Sequence, residues 1–205
     1  SRDRVRALGV MDPGYLRLRF RLIIAGYDVE YFGYDWRRGI ADLGTRFARH
    51  LRATGRPASI VAHSLGGLVG HQVARRLGPS RVKLLVVAAA PPPGDGPFPG
   101  NMSDADILQL MADWGGTPPD ILADPELAAV FIPCIRADLE VFASCQIAFS
   151  NAARVEVPLL ALAGSDDPFA SADLCAGWEA WTRRDFALRV LPGGHFFPVT
   201  AGRQV

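Results

Sequence analysis

Ile60-Val61-Ala62-His63-Ser64-Leu65-Gly66-Gly67 is the stretch on which the fold turns. Residues 59–62 before it are short and apolar, as a buried strand requires. Residues 65–77 after it read as a helix that stops at Gly78-Pro79. A serine therefore stands at a strand–helix junction with small residues two positions to either side. A turn this tight forces the serine into a strained backbone region, and bulky side chains at 62 and 66 would collide. The usual pattern is Gly-x-Ser-x-Gly, and Ala62 departs from it by one methyl group. Such a junction presents Ser64 as a nucleophile. The helix that starts at Leu65 aims backbone N–H groups at negative charge forming beside it, so the Leu65 N–H is the expected first oxyanion donor.

Outward from the junction, β-rich runs alternate with amphipathic helical stretches. Residues 82–90 form the strongest strand signal, and their unbroken apolar character implies coverage on both faces, as in a parallel sheet between helices. Upstream, 5–10 and 28–32 are expected strands and 15–25 a helix ending at Gly26. Ile40, Leu43, Phe47 and Leu51 recur at helical spacing before Gly55-Arg56-Pro57. The rhythm breaks at Pro91-Pro92-Pro93, and no strand signal returns until Pro158. Between them, Ser103 and Asp106 form a capping box before Ile107, Leu108, Leu110 and Met111. Asp124-Pro125 opens a second helix, and Pro133 a third that carries Ile135, Leu139 and Phe142 on one face. Residues 157–163 resume as a strand, followed by Gly164-Ser165-Asp166-Asp167-Pro168 and a helix with Leu174, Trp178 and Trp181. Residues 186–191 form the last strand and lead to Pro192-Gly193-Gly194-His195. The pattern predicts an α/β fold, a mostly parallel sheet flanked by helices. It is one domain over 1–205 with a helical lid insertion at about 95–150.

Composition narrows the function. A chain of 205 residues with 49% apolar side chains supports one sizeable core. Its 22 basic and 21 acidic residues give a net charge of +1 without a basic stripe, which argues against a nucleic-acid partner. The longest apolar stretch, 84–93, is far short of the roughly 20 residues of a membrane span, so no stable membrane insertion is expected. Cys134, Cys145 and Cys175 fit neither a disulfide scaffold nor a four-ligand zinc site; reduced thiols and a cytoplasmic location are expected. The first residue is Ser1 rather than Met, and an N-terminal truncation is compatible with this reading.

A serine hydroxyl needs a base. Of the four histidines, His50 sits in a helix that ends well before the junction and is expected to face solvent. His71 lies a full helical segment beyond Ser64. His63 adjoins it, but neighbouring side chains in such a turn point apart, so a packing or supporting role is expected. His195 follows a strand and a flexible Gly-Gly pair at the carboxyl edge of the sheet, where open α/β folds bind ligands. It is the expected base. A carboxylate must hold the imidazole in its reactive tautomer. Asp167 is preferred for this, and Asp166 is an immediate rival, since either could turn inward. The chain order Ser64, Asp167, His195 matches that of hydrolases with this junction. A second oxyanion donor would come from Met11 or Asp12, if 5–10 is the preceding strand.

Ala62–Gly67, Gly164–Asp167 and Gly193–His195 resemble the signatures of α/β-hydrolases. The resemblance is closest to the type II, editing thioesterases of polyketide and nonribosomal peptide synthesis. It extends through Gly115-Gly116-Thr117-Pro118, Leu122-Ala123-Asp124-Pro125-Glu126-Leu127, Ile135-Arg136-Ala137-Asp138 and Leu191-Pro192-Gly193-Gly194-His195-Phe196-Phe197. Gly33-Tyr34-Asp35-Trp36-Arg37-Arg38 and the junction itself look more like lecithin:cholesterol acyltransferase-like and lipase-like hydrolases, and no Pro-x-Ala-Gly-Gly-like oxyanion loop is found. The resemblance implies a nucleophile, acid and base at Ser64, Asp167 and His195. It also implies an acyl or peptidyl carrier protein as partner, bearing its acyl chain on phosphopantetheine. Met111, Leu139, Phe142 and Phe196 are the expected acyl-binding residues, and no cofactor is needed. The same residues suit an esterase, a lipase or an acyltransferase, and a non-catalytic binding protein can share the fold.

Overall fold

Val82, Leu85, Val86, Val87 and Ala88 are all buried. A strand with both faces covered has to lie inside a sheet, and here it does. The computed structural model describes residues 12–33, 38–94, 102–149 and 154–200. Strands β1 (Ala58–His63), β2 (Val82–Ala88), β3 (Leu159–Gly164) and β4 (Phe186–Leu191) form a sheet in the order β1-β2-β3-β4. Every pairing is parallel. The register sets His63 beside Ala88, Ala88 beside Leu162, and Gly164 beside Leu191. The loops that follow β1, β3 and β4 therefore emerge along one edge.

Helices α1 (Asp12–Ile24) and α2 (Ile40–Thr54) precede β1, and α3 (Leu65–Leu77) runs from the junction back along the sheet. Leu68, Val69 and Val73 of α3 are buried in the main core with Ile40, Leu43, Leu85 and Leu159. Between β2 and β3 come α4 (Asp104–Trp114), α5 (Pro119–Ala123) and α6 (Pro125–Phe149). These helices have a second core of their own, made by Ile107, Met111, Ala128, Ile132 and Leu139. After β3 come α7 (Ala172–Ala176), a 3₁₀ turn (Gly177–Trp181), β4 and the short α8 (Phe197–Thr200).

The structure departs from the sequence expectations in four places. Residues 28–32 are not a strand. This segment pairs with none of the four strands; Phe32 instead stacks on Phe47 at 4.2 Å between ring centroids. Pro133 does not start a helix but lies inside α6. Its missing N–H and ring clash disfavour the helix locally, but Ile132 and Leu139, on either side of it, are buried in one core. The strand expected over 82–90 ends at Ala88, because Ala89 takes φ 47° and the Ala90 carbonyl accepts from the Trp178 indole at 2.7 Å. The Leu174–Trp181 stretch is a short α-helix passing into a 3₁₀ turn rather than one helix. The strand expected at 5–10 lies outside the described residues. No helix among the described residues is long and apolar enough to cross a membrane.

Candidate active site

Ser64 occupies the junction between β1 and α3 with φ 53° and ψ −130°, a region a non-glycine residue adopts only when its surroundings hold it there. Two backbone bonds do so: Ser64 N–H donates to the Ala88 carbonyl at 2.9 Å, and Gly67 N–H donates to the Ser64 carbonyl at 2.8 Å. Part of the need for small residues falls at 67, where a Cβ would stand 2.8 Å from the Ala90 methyl. Ala62 is accommodated half-buried. Leu65 is the first residue of α3, so its N–H has no acceptor within the helix.

The loops after β3 and β4 are joined by hydrogen bonds. Ser165 N–H donates to the Leu191 carbonyl at 2.8 Å and Asp166 N–H to the Gly193 carbonyl at 3.0 Å. Gly193 N–H returns a bond to Ser165 Oγ at 3.2 Å. Gly164 makes this approach possible: a Cβ there would overlap the Gly193 carbonyl oxygen and stand 2.8 Å from that of Gly194. These bonds bring Asp167 to His195. Asp167 Oδ2 lies 3.0 Å from His195 Nδ1, and His195 Nε2 lies 3.1 Å from Ser64 Oγ. The other carboxylate oxygen accepts from the N–H groups of Phe169 and Ala170 at 2.9 and 3.0 Å. Asp166 is otherwise engaged, accepting from Ser165 Oγ. Of the two rival aspartates, Asp167 is the one that meets the imidazole.

The electrostatics follow from these contacts. Burial pushes the Asp167 carboxyl up, but the His195 hydrogen bond, the His195 charge and the Ala170 and Phe169 N–H groups outweigh it and hold the group below its ordinary value. An ionised Asp167 accepts from Nδ1–H, which leaves Nε2 as the acceptor for the Ser64 hydroxyl. Asp167 and His195 are 4% and 2% exposed, so neither is screened by bulk water. The nearby Cys175 thiol is raised to about 12, first by burial and then by the Asp167 charge. It stays protonated and unreactive.

Aromatic rings enclose the imidazole. Trp114, the last residue of α4, stacks on His195 at 5.4 Å and 19°. Phe169 and Phe196 meet it edge-on, each at 5.3 Å. Phe142 of α6 packs on Phe169 at 5.7 Å. Two of the four expected acyl-binding residues, Phe142 and Phe196, therefore belong to this cluster. Met111 and Leu139 do not; they are buried in the separate core of α4–α6. Sequence reasoning missed Trp114 and Phe169. Trp114 had a signal, since it directly precedes Gly115, the left-handed residue that closes α4; Phe169 had none beyond its closeness to Asp167.

The remaining histidines separate cleanly. His71 is fully buried on the far side of α3 against Trp178 and Trp181. His50 is not solvent-facing as expected: its side chain is only 23% exposed, and Nε2 lies 3.1 Å from Glu30 Oε1. His63 bonds to the His195 carbonyl and to the Tyr15 hydroxyl. The second oxyanion donor assigned to Met11 lies outside the described residues.

A parallel sheet flanked by helices, with its functional loops at the carboxyl ends of the strands, is the architecture of an α/β-hydrolase. The chain belongs to the thioesterase domain family, which matches residues 24–205. It is 30% identical over 156 residues to the AMB antimetabolite synthetase AmbE of Pseudomonas aeruginosa, an alignment covering 73% of this chain and 7% of that protein. It is 29% identical over 147 residues to the gramicidin S biosynthesis protein GrsT of Aneurinibacillus migulanus, covering 69% of this chain and 57% of GrsT. The chain thus spans little more than half of one curated relative and a small part of the other. Among solved structures it resembles YbtT, a type II thioesterase from the yersiniabactin NRPS/PKS biosynthetic pathway. The TM-score is 0.71 at 26% identity, covering 81% of this chain and 70% of that one.

Proposed function

We propose that the chain hydrolyses acyl thioesters held on the phosphopantetheine arm of an acyl or peptidyl carrier protein, as a type II thioesterase does. The observation that carries this is the unbroken hydrogen-bond relay Asp167–His195–Ser64 at the sheet edge, in a chain of the thioesterase domain family. In the first half-reaction His195 Nε2 takes the Ser64 proton as Oγ attacks the thioester carbonyl. The Leu65 N–H is one donor to the resulting oxyanion. The C–S bond then breaks, and the imidazolium gives its proton to the departing sulfur. In the second half, water loses a proton to Nε2 and its oxygen attacks the acyl-serine. The C–O bond to Ser64 breaks, Oγ regains the proton, and the free acid leaves. Asp167 keeps the imidazole in the required tautomer and stabilises its charged form without taking the proton.

Residues 1–205 act as one domain on this reading, with α4–α6 as a lid over the acyl chain and Phe142 and Phe196 at its reactive end. Free Cys134 and Cys175 suit a cytoplasmic setting. The decisive experiment compares kcat/KM on an acyl-phosphopantetheinyl carrier with that on the matched oxygen ester, for wild type and Ser64→Ala. The expected result is preference for the thioester and loss of turnover in the variant. A tenfold preference for the oxygen ester would reassign the chain as an esterase, and unchanged hydrolysis by Ser64→Ala would remove Ser64 as nucleophile.

A further inference from the structure

Beside the relay through the His195 side chain, a second one ends on its backbone. Tyr15 Oη lies 2.7 Å from His63 Nδ1, and His63 Nε2 lies 2.8 Å from the His195 carbonyl oxygen. A carbonyl only accepts, so His63 Nε2 must carry the hydrogen. In a neutral ring Nδ1 is then an acceptor, and the Tyr15 hydroxyl donates to it. The neutral form is favoured because burial, and then the His195 charge, lowers His63 to about 4. The His63 ring also contacts the His195 and Phe196 rings, at 5.1 and 5.7 Å. The chain Tyr15–His63–His195 thus runs from α1, across the end of β1, to the loop after β4.

We propose that His63 and Tyr15 are positioning residues for the reaction, fixing the backbone of residue 195 so that its imidazole stays within reach of the Ser64 hydroxyl. The inference rests on His195 being the base. It explains what the adjacent bonds leave undone. The stitches between the β3 and β4 loops end at Gly193, Phe197 N–H closes the next turn on the Gly194 carbonyl, and Asp167 and the aromatic rings hold only the side chain of residue 195. The His63 bond grips the carbonyl of residue 195 itself. A displacement on the order of 1 Å at a reacting group can cost ~100-fold in rate, so a hydrogen bond that removes this freedom acts on kcat.

The test measures His63→Phe, His63→Gln and Tyr15→Phe for phosphonylation of Ser64 by a fluorophosphonate probe, for kcat and KM on an acyl-pantetheine thioester, and for Tm. Phe keeps the ring without the donor, and Gln can return an N–H to the His195 carbonyl. The expected result is a roughly tenfold loss of phosphonylation rate and kcat in His63→Phe, with KM within about twofold of wild type. His63→Gln should recover at least a third of the lost rate, and Tyr15→Phe should lose about threefold at unchanged Tm. Wild-type phosphonylation in His63→Phe, or a Gln variant no faster than Phe at equal Tm, would overturn the proposal. If His63→Phe does not fold, Tyr15→Phe decides: an unchanged kcat overturns it. Failure of the base assignment is read separately, from the ¹⁵N resonances of His195. These should show Nδ1–H in wild type and a mixture of tautomers or broadened signals in His63→Phe; a His195 signal unaffected by that substitution counts against positioning whatever the substrate.

Discussion

The strand ends and the helical segment α4–α6 are held in different ways. At the strand ends, Ser64, Asp167 and His195 are positioned by directional bonds. Backbone groups of Ala88, Leu191 and Gly193 fix the turns, and two further N–H groups fix the carboxylate. The helical segment has its own core around Ile107, Met111 and Ile132, while Trp114 and Phe142 carry apolar contact across to the body at Phe169. Hydrogen bonds weaken as they depart from their preferred geometry, whereas apolar contact is non-directional. The strand ends are thus held by direction as well as distance, and the helical segment by apolar packing.

This contrast can be tested first where its consequence is largest. Asp167→Asn keeps the volume but removes the carboxylate, so kcat should fall by ~10³–10⁴ while Tm changes little. A variant within tenfold of wild type would mean that the relay is not used. Phe142→Ala strikes the joint between the two regions. It should cost about 3–5 kcal/mol, concentrated in the helical segment, and hydrogen exchange should quicken in α4 and α6 well before β2 and β3. Uniform acceleration across the molecule would show that the two cores are one cooperative unit.

The main body also carries a pH signature, set by a buried histidine. Burial, then the Arg75 charge, lowers His71 from 6.5 to about 4. The unfolded chain therefore binds this proton where the folded one does not, and stability falls as pH drops from about 6.5 towards 4. At the lower end the loss is on the order of 3 kcal/mol. Urea midpoints at pH 7 and pH 4.5 should differ markedly in wild type and less in His71→Leu; equal differences would exclude His71 as the source. The smallest effect belongs to the capping box, in which Ser103 Oγ accepts from Asp106 N–H and the Asp106 carboxylate accepts from Ser103 N–H. Ser103→Ala should cost about 1 kcal/mol, and faster exchange confined to the first turn of α4 would locate it.

Legibility followed the range of the interaction. The strand–serine–helix junction is local: its residues are contiguous, and α3 begins and ends where the pattern placed it. The same holds for β4 and for the Ser103 cap. Residues 28–32 have strand-like composition but pair with none of the four strands, and a ladder is a property of two segments rather than one. Pro133 failed as a boundary for a related reason: the contacts that hold α6 together on both sides of it come from elements distant in the chain. Trp114 and Tyr15 meet His195 and His63 only because separate helices converge on one edge, and no spacing in the sequence records that.

The sequence by itself determined the α/β rhythm and the strained serine, because each depends on neighbours within a turn or a strand. Tertiary structure decided which aspartate faces the imidazole, which aromatic rings enclose it, and that His63 grips its backbone. Those choices rest on the approach of the β3 and β4 loops, which Gly164 permits, and on helices brought in from far along the chain.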